Sequence, residues 1–350
     1  MTVTTTDTSG QKPALKAKDF ATDQDVRWCP GCGDYSILKQ VQSVFAELGL
    51  DKDKTAIISG IGCSSRFPYY METYGMHSIH GRAPAVASGL RMANPELSVW
   101  VVTGDGDGLS IGGNHLLHVL RRNFNLNILL FNNQIYGLTK GQYSPTSEFQ
   151  KKTKSTPMGS LDHPVNPLAF ALGSDATFVA RSMDRDPKHL KEMLRRCHQH
   201  RGTSFLEIYQ NCNIFNDGAF FPFTEKDSKP SHALFLEQGQ PLVFGAEREL
   251  GIRLDGFKPV VVNLREDGWT ESDLWIHDET DLVKAQMLAR FFDDPRQRKE
   301  NFLPRPFGVI YRTERPCYED LLFEQLETAA REKGKGDLNK LLRGNATWTI

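Results

Sequence analysis

Three groups of residues in this sequence have the types and spacing to do chemistry. The first is Gly104-Asp105-Gly106-Asp107, two carboxylates in a Gly-rich turn. Glycine lets the backbone come close to a ligand. Gly112-Gly113-Asn114-His115 beyond it reads as a helix start, whose free N–H groups and positive dipole end suit a phosphate. The second is Asn132-Asn133, with 25 residues between it and the GDG triplet. A hard cation such as Mg²⁺ takes oxygen ligands and bridges few protein groups to a diphosphate. Asp105 offers a charged oxygen, Asn133 an amide oxygen and the Ile135 carbonyl a third. The third group is the cysteines. Cys29 and Cys32 form a C-x-x-C pair, and Cys63 and Cys212 each follow an expected strand. Four thiolates that can converge suit Zn²⁺ or a [4Fe–4S] cluster. A second C-x-x-C pair, as in a zinc ribbon, is missing. A lone redox dithiol would leave Cys63 and Cys212 unexplained. Cys197 falls on an apolar helix face and reads as core; Cys317 reads as structural.

Apolar runs position these groups. Val99-Trp100-Val101-Val102 leads into the GDGD turn, and Ile128-Leu129-Leu130-Phe131 leads into Asn132. Both read as buried parallel strands ending on one edge, where doubly wound folds bind ligands. Further strands are expected at Thr55 to Ser59, Ala176 to Ala180 and Ser204 to Tyr209. Helices are expected after Asp34, which can cap the first one, over Ala83 to Met92, over Leu168 to Gly173 and over Pro187 to Arg201. About five strand–helix alternations give the expected fold class, an α/β doubly wound parallel sheet. Residues 69–81 read as an aromatic, His-rich loop, and 137–165 as a long loop of the kind that is usually functional.

The division expected is a mobile N-terminal tail over 1–20, an α/β domain over 21–213 and an irregular extension over 214–350 packed on the core or on a partner. Within the extension, strand-like segments occur at 241–244 and 259–262, and helical ones at 281–292 and 317–333. The net charge of −1 in 350 residues gives no sign of a nucleic-acid or membrane partner. The polar, Thr-rich start has no apolar signal-peptide core, so a cytoplasmic location is expected. Six cysteines are too few for a disulfide framework in a chain this long.

GDG followed by NN at this spacing resembles the thiamine diphosphate (ThDP) binding motif. The wider set extends the likeness: WCPGCG at 28–33, GIGCSSR at 60–66, HGRA at 80–83, GDGDGLSIGGNH at 104–115, NNQIYGLTKGQYSPTS at 132–147, and Cys212. Together they resemble the β subunit of 2-oxoacid:ferredoxin oxidoreductases, over roughly residues 25–215. The resemblance implies a ThDP-type fold and a [4Fe–4S] cluster on Cys29, Cys32, Cys63 and Cys212. It implies Mg²⁺ on Asp105, Asn133 and the Ile135 carbonyl. Ile61, Gly62, Cys63, Ser64, His80, Gly104, Gly106, Asp107, Gly137 and Leu138 would line the diphosphate and thiazolium region. It also implies oxidative decarboxylation of a 2-oxo acid with coenzyme A, electrons leaving to ferredoxin. An α subunit would supply the glutamate that acts on the aminopyrimidine, in an (αβ)₂ assembly. The reverse, CO₂-fixing direction stays open. Arg66 and Lys140 are candidates for holding a second substrate carboxylate, which favours 2-oxoglutarate over pyruvate. The alternatives are a pyruvate or broad-specificity subunit, a non-redox ThDP decarboxylase, and a non-enzymatic metal scaffold.

Overall fold

The computed structural model describes residues 15–266, 268–296, 302–346 and 348. In chain order its strands are β1 (Thr55–Ser59), β2 (Tyr74–His77), β3 (Ser98–Gly104), β4 (Leu126–Asn132), β5 (Phe178–Met183), β6 (Thr203–Tyr209), β7 (Ala233–Phe235), β8 (Val243–Phe244), β9 (Leu250–Asp255), β10 (Lys258–Asn263) and β11 (Arg305–Arg312). Its helices are α1 (Asp34–Glu47), α2 (Ala83–Ala93), α3 (Gly113–Arg122), α4 (Pro167–Gly173), α5 (Pro187–Gln199), the single turns α6 (Phe221–Thr224) and α7 (Lys229–His232), α8 (Leu282–Ala289), α9 (Tyr318–Lys333) and α10 (Leu338–Arg343).

Among the described residues, eight strands make one sheet in the order β2-β1-β3-β4-β6-β5-β11-β7, and β8 to β10 make a small antiparallel one. The first six of the large sheet are parallel. The central strand β4 shows why the apolar runs are unbroken. Leu126, Ile128 and Leu130 point into one core with α2, α3, α4 and α8. Leu129 and Phe131 point into the other, with α1 and α5. Helices on both faces leave no polar side, so alternation disappears from the sequence. Burying a side chain such as Phe131 contributes roughly 1.5–3 kcal/mol, so these strands are held firmly and their ends are fixed.

The fold class is the one expected, with differences at the margins. The loop expected over 69–81 contains the edge strand β2, exposed at all four residues and therefore without an apolar pattern. β11 was not legible because Pro306 and Gly308 interrupt it. It lies antiparallel to β5, and β7 pairs with it, so the chain after 213 completes the sheet. The tail expected to run to residue 20 ends sooner. Residues 1–14 lie outside the described residues, but Ala17–Phe20 is a 3₁₀ turn with Phe20 fully buried against Phe45. Asp34 is not the cap of α1. Gly33 takes that position, and the Asp34 side chain is buried with neither oxygen hydrogen-bonded.

Candidate cofactor and metal site

Register brings the chemistry-bearing loops together. Gly104 of β3 pairs with Phe131 of β4, and Asn132 of β4 pairs with Tyr209 of β6. The turns after β1, β3, β4 and β6 therefore emerge side by side on one edge. These are the loops that hold Ile61 to Arg66, Asp105 to Asp107, Asn133 onward, and Gln210 to Cys212.

Asp107 is a bolt between them. Its Oδ1 accepts from the Ile61 N–H at 3.0 Å and the Gly81 N–H at 2.7 Å, and its Oδ2 from the Thr103 hydroxyl at 2.6 Å. His80 stands 3.5 Å from the same carboxylate with a partly exposed ring. A π-turn over Asp107–Ile111 follows, the kind of helical irregularity common at functional sites. Two glycines make the packing possible. A side chain on Gly60 would begin 1.9 Å from Asp107 Oδ2, and one on Gly106 would begin 2.1 Å from the Tyr136 ring.

Asp105 is buried, and its Oδ2 accepts the hydroxyls of Ser144 and Thr146, each at 2.5 Å. Burial pushes its carboxyl up to about 6, against the pull of those hydroxyls. A buried carboxylate that is costly to ionise is well matched to a cation. One carboxylate, an amide oxygen and a carbonyl also make the sparse donor set that Mg²⁺ takes beside a diphosphate. The two asparagines divide the work. Asn132 is buried: its Oδ1 accepts from the Gln134 N–H at 3.2 Å and lies 2.9 Å from the Thr146 hydroxyl, and its Nδ2 donates to Glu207 at 2.7 Å. Glu207 in turn accepts from Arg181 at 2.7 Å, both fully buried. Asn133 is half-exposed, with Oδ1 accepting from the Ile135 N–H at 3.2 Å and Nδ2 donating to Gln210 Oε1 at 2.8 Å. The hydroxyls of Ser144, Thr146 and Ser147, and the side chains of Glu207 and Gln210, were missed in the sequence. The SPTS segment was in plain view within the motif, but only the fold shows that its hydroxyls reach back to Asp105.

The cysteine loops meet beside this edge. The Trp28 indole N–H donates to the Cys63 carbonyl at 2.6 Å. The Gly33 N–H donates to the Asn211 carbonyl at 3.2 Å, and Asn213 Nδ2 to the Pro30 carbonyl at 2.7 Å. Gly137, in the loop after Asn133, faces two of the sulfurs. A side chain there would begin 3.4 Å from Cys63 Sγ and 3.7 Å from Cys212 Sγ. Cys63 thus belongs to both halves of the site. Burial, then the nearby Asp34, raises the Cys32 thiol and pushes the Cys63 thiol up to about 12; burial also raises Cys212. Thiolates here need positive charge, and an iron or zinc core would supply it, since a coordinating thiol is deprotonated. Among the described residues no three or more His, Cys, Asp or Glu side chains draw together as they would around one ion. Cys29 and Cys32 share one loop, and Cys63 and Cys212 lie on two others. Ligands of a cube-shaped cluster bind separate irons and stand further apart than donors sharing one ion, so this three-loop set would suit the larger group. Cys197 and Cys317 are buried elsewhere.

Arg66 is held on an aromatic pair. Its Nε donates to the Tyr70 hydroxyl at 2.9 Å, and its guanidinium lies near the Tyr69 and Tyr70 rings. Lys140 is exposed in a left-handed turn with φ of 76°. Leu138 is exposed beside it, while Gly62 and Ser64 lie in the turn after β1.

Comparison with known proteins agrees with this geometry. Residues 60–208 match the thiamine pyrophosphate enzyme C-terminal TPP-binding domain. The chain is 52% identical to the KorB subunit of a 2-oxoglutarate oxidoreductase from Mycobacterium tuberculosis, over 96% of this chain and 88% of that one. The chain belongs to the β subunits of the 2-oxoacid:ferredoxin oxidoreductases. It is 48% identical to the β subunit of a 2-oxoacid:ferredoxin oxidoreductase from Aeropyrum pernix, over 54% of this chain and 60% of that one. A 2-oxoglutarate:ferredoxin oxidoreductase from Magnetococcus marinus, solved with 2-oxoglutarate, coenzyme A and succinyl-CoA bound, superposes with a TM-score of 0.73. That match is 36% identical and covers 95% of this chain and 97% of the other. Among the described residues, no helix of this β subunit is long and apolar enough to cross a membrane.

Proposed function

We propose that this β subunit works in a 2-oxoglutarate:ferredoxin oxidoreductase, converting 2-oxoglutarate and coenzyme A to succinyl-CoA and CO₂, or running in reverse. The observation that carries the reading is Gly137. It joins the loop that follows Asn133 to Cys63 and Cys212, so the ThDP edge and the cysteines share one wall. The substrate rests on relatives named for 2-oxoglutarate, among them the two described above.

Asp105, the Asn133 side chain and the Ile135 carbonyl would hold Mg²⁺, and Cys29, Cys32, Cys63 and Cys212 a [4Fe–4S] cluster. When bound, ThDP supplies the carbanion and electron sink for decarboxylation, and the cluster carries electrons singly. The chain's own residues set the stage. Asp107 fixes the Ile61 and Gly81 backbones, the turns that would face the diphosphate. Ser144 and Thr146 hold Asp105 in place, where it would bind the metal. No carboxylate of this chain is assigned to the aminopyrimidine, so an α subunit is needed for turnover, in an (αβ)₂ assembly that reduces ferredoxin in the cytoplasm.

One observation favours a pyruvate or broad-specificity enzyme instead. Arg66 is engaged with Tyr70 rather than free for a substrate carboxylate. Kinetics of the αβ complex with both acids, and with Arg66→Ile, decide between them. A raised 2-oxoglutarate KM in the variant supports the proposal. Equal turnover of pyruvate, or an unchanged KM, contradicts it.

A further inference from the structure

We infer that Gln210, in the turn after β6, is a positioning residue that ties the Mg²⁺ ligand Asn133 to the cluster ligand Cys32, and that its N–H···S hydrogen bond raises the potential of the cluster. The inference rests on the functional reading above. Gln210 is 1% exposed. Its Oε1 accepts from Asn133 Nδ2 at 2.8 Å. Its Nε2 donates to Cys32 Sγ at 3.3 Å and to the Asn211 carbonyl at 2.7 Å. Both Nε2 hydrogens and one lone pair of Oε1 are therefore directed.

The orientation of each amide follows from the next. A metal needs the oxygen of Asn133, not its nitrogen. Asn133 must then turn Nδ2 away from the metal, and the group waiting there has to accept. That fixes Gln210 Oε1 towards Asn133 and leaves Nε2 facing the sulfur. The backbone holds the amide in place. The Gln210 N–H donates to the Asn132 carbonyl at 2.9 Å, and the next N–H, of Asn211, donates to Asp184 at 2.9 Å. One side chain thus supports a ligand of each cofactor. Partners that orient a ligand commonly matter ~10–100-fold in metal affinity. Hydrogen bonds to cluster sulfurs withdraw charge from them and raise the reduction potential.

The test uses the anaerobic αβ complex, wild type and Gln210→Met, which keeps length and bulk but neither accepts from Asn133 nor donates to Cys32. Three quantities are read: iron and ThDP content, Mg²⁺ affinity in the presence of ThDP, and the cluster midpoint from an EPR-monitored titration. The expected result in the variant is full iron, Mg²⁺ binding weakened at least tenfold, and a midpoint lowered. A tenfold change in the ratio of oxidised to reduced cluster reads as about 59 mV for this one-electron couple. An unchanged midpoint overturns the inference. So does a lowered midpoint with unchanged Mg²⁺ affinity, which would make Gln210 a cluster residue alone. If the variant does not assemble, wild-type complex carrying ¹⁵N in glutamine side chains decides. A ¹⁵N coupling to the reduced cluster is expected, and its absence overturns the inference. Wild type lacking iron or ThDP would instead defeat the functional reading, and is seen before any variant is made.

Discussion

Acid should stabilise the cofactor-free form of this subunit through Asp105, against the usual trend for carboxylates. Burial raises its folded-state carboxyl to about 6 from an ordinary 3.8. Between those values the folded chain holds a proton that the unfolded chain has released. Stability from this group is therefore greatest below pH 4 and falls as pH rises to about 6. Two pKa units at 1.36 kcal/mol each give a loss of about 3 kcal/mol across that window. Asp34 and Asp184, pushed up to about 7 and about 6 by burial, tilt the background the same way. The assay must isolate Asp105, so it compares wild type with Asp105→Asn, which keeps the shape and cannot titrate. Urea unfolding, followed by tryptophan fluorescence in chelator without ThDP, would be run from pH 4 to pH 7.5. Wild type should lose about 3 kcal/mol relative to the variant on going from pH 4 to pH 7, and Mg²⁺ with ThDP should restore it. A pH-independent difference between the two proteins would refute the reasoning, because Asp105 would then ionise as easily folded as unfolded.

Asp107→Ala leaves the Ile61 and Gly81 N–H groups and the Thr103 hydroxyl without their acceptor. At about 1–3 kcal/mol for each of the two fully buried groups left unpaired, the Gly81 N–H and the Thr103 hydroxyl, a loss of ~2–6 kcal/mol in urea unfolding is expected. A loss under ~1 kcal/mol would mean that the carboxylate does not hold the turns. Glu207→Ala strands the fully buried Arg181 and should cost ~3–5 kcal/mol; Arg181→Met together with Glu207→Leu should recover much of that. Double substitution as damaging as the single one would contradict an ion-pair origin. Gly106→Ala must displace Tyr136, so ThDP retention on gel filtration should fall at least tenfold while the circular dichroism of the fold stays unchanged. Normal retention would show that the Tyr136 ring moves freely.

What could be read from the sequence followed the physics of burial. β1, β3, β4 and β6 sit under helices on both faces, so their apolar runs stood out, and their ends located Asp105, Asn133, Cys63 and Cys212 on one edge. β2 and β11 carry no such signal, one being exposed and the other interrupted by Pro306 and Gly308. Asp34 looked like a helix cap because its type and place allow it; tertiary packing decided otherwise, since Gly33 and Asn211 meet where a cap would turn. The supporting residues were out of reach for a different reason. Thr146, Glu207 and Gln210 act through partners 41, 75 and 77 residues away in the chain, and no local pattern marks such pairs. Asp107, which the resemblance puts in the diphosphate region, also holds the neighbouring turns through three donors.

The central claim is that the ThDP edge and the four cysteines form one electron-transfer unit in this chain. The most direct measurement is EPR on the anaerobic αβ complex, frozen after mixing with 2-oxoglutarate and coenzyme A, beside the same complex carrying Cys212→Ser. The account predicts a reduced [4Fe–4S] signal in the first sample and its loss in the second, with ThDP still bound in both. A signal of undiminished size in the Cys212→Ser complex would contradict it, because the cluster would then sit on another chain.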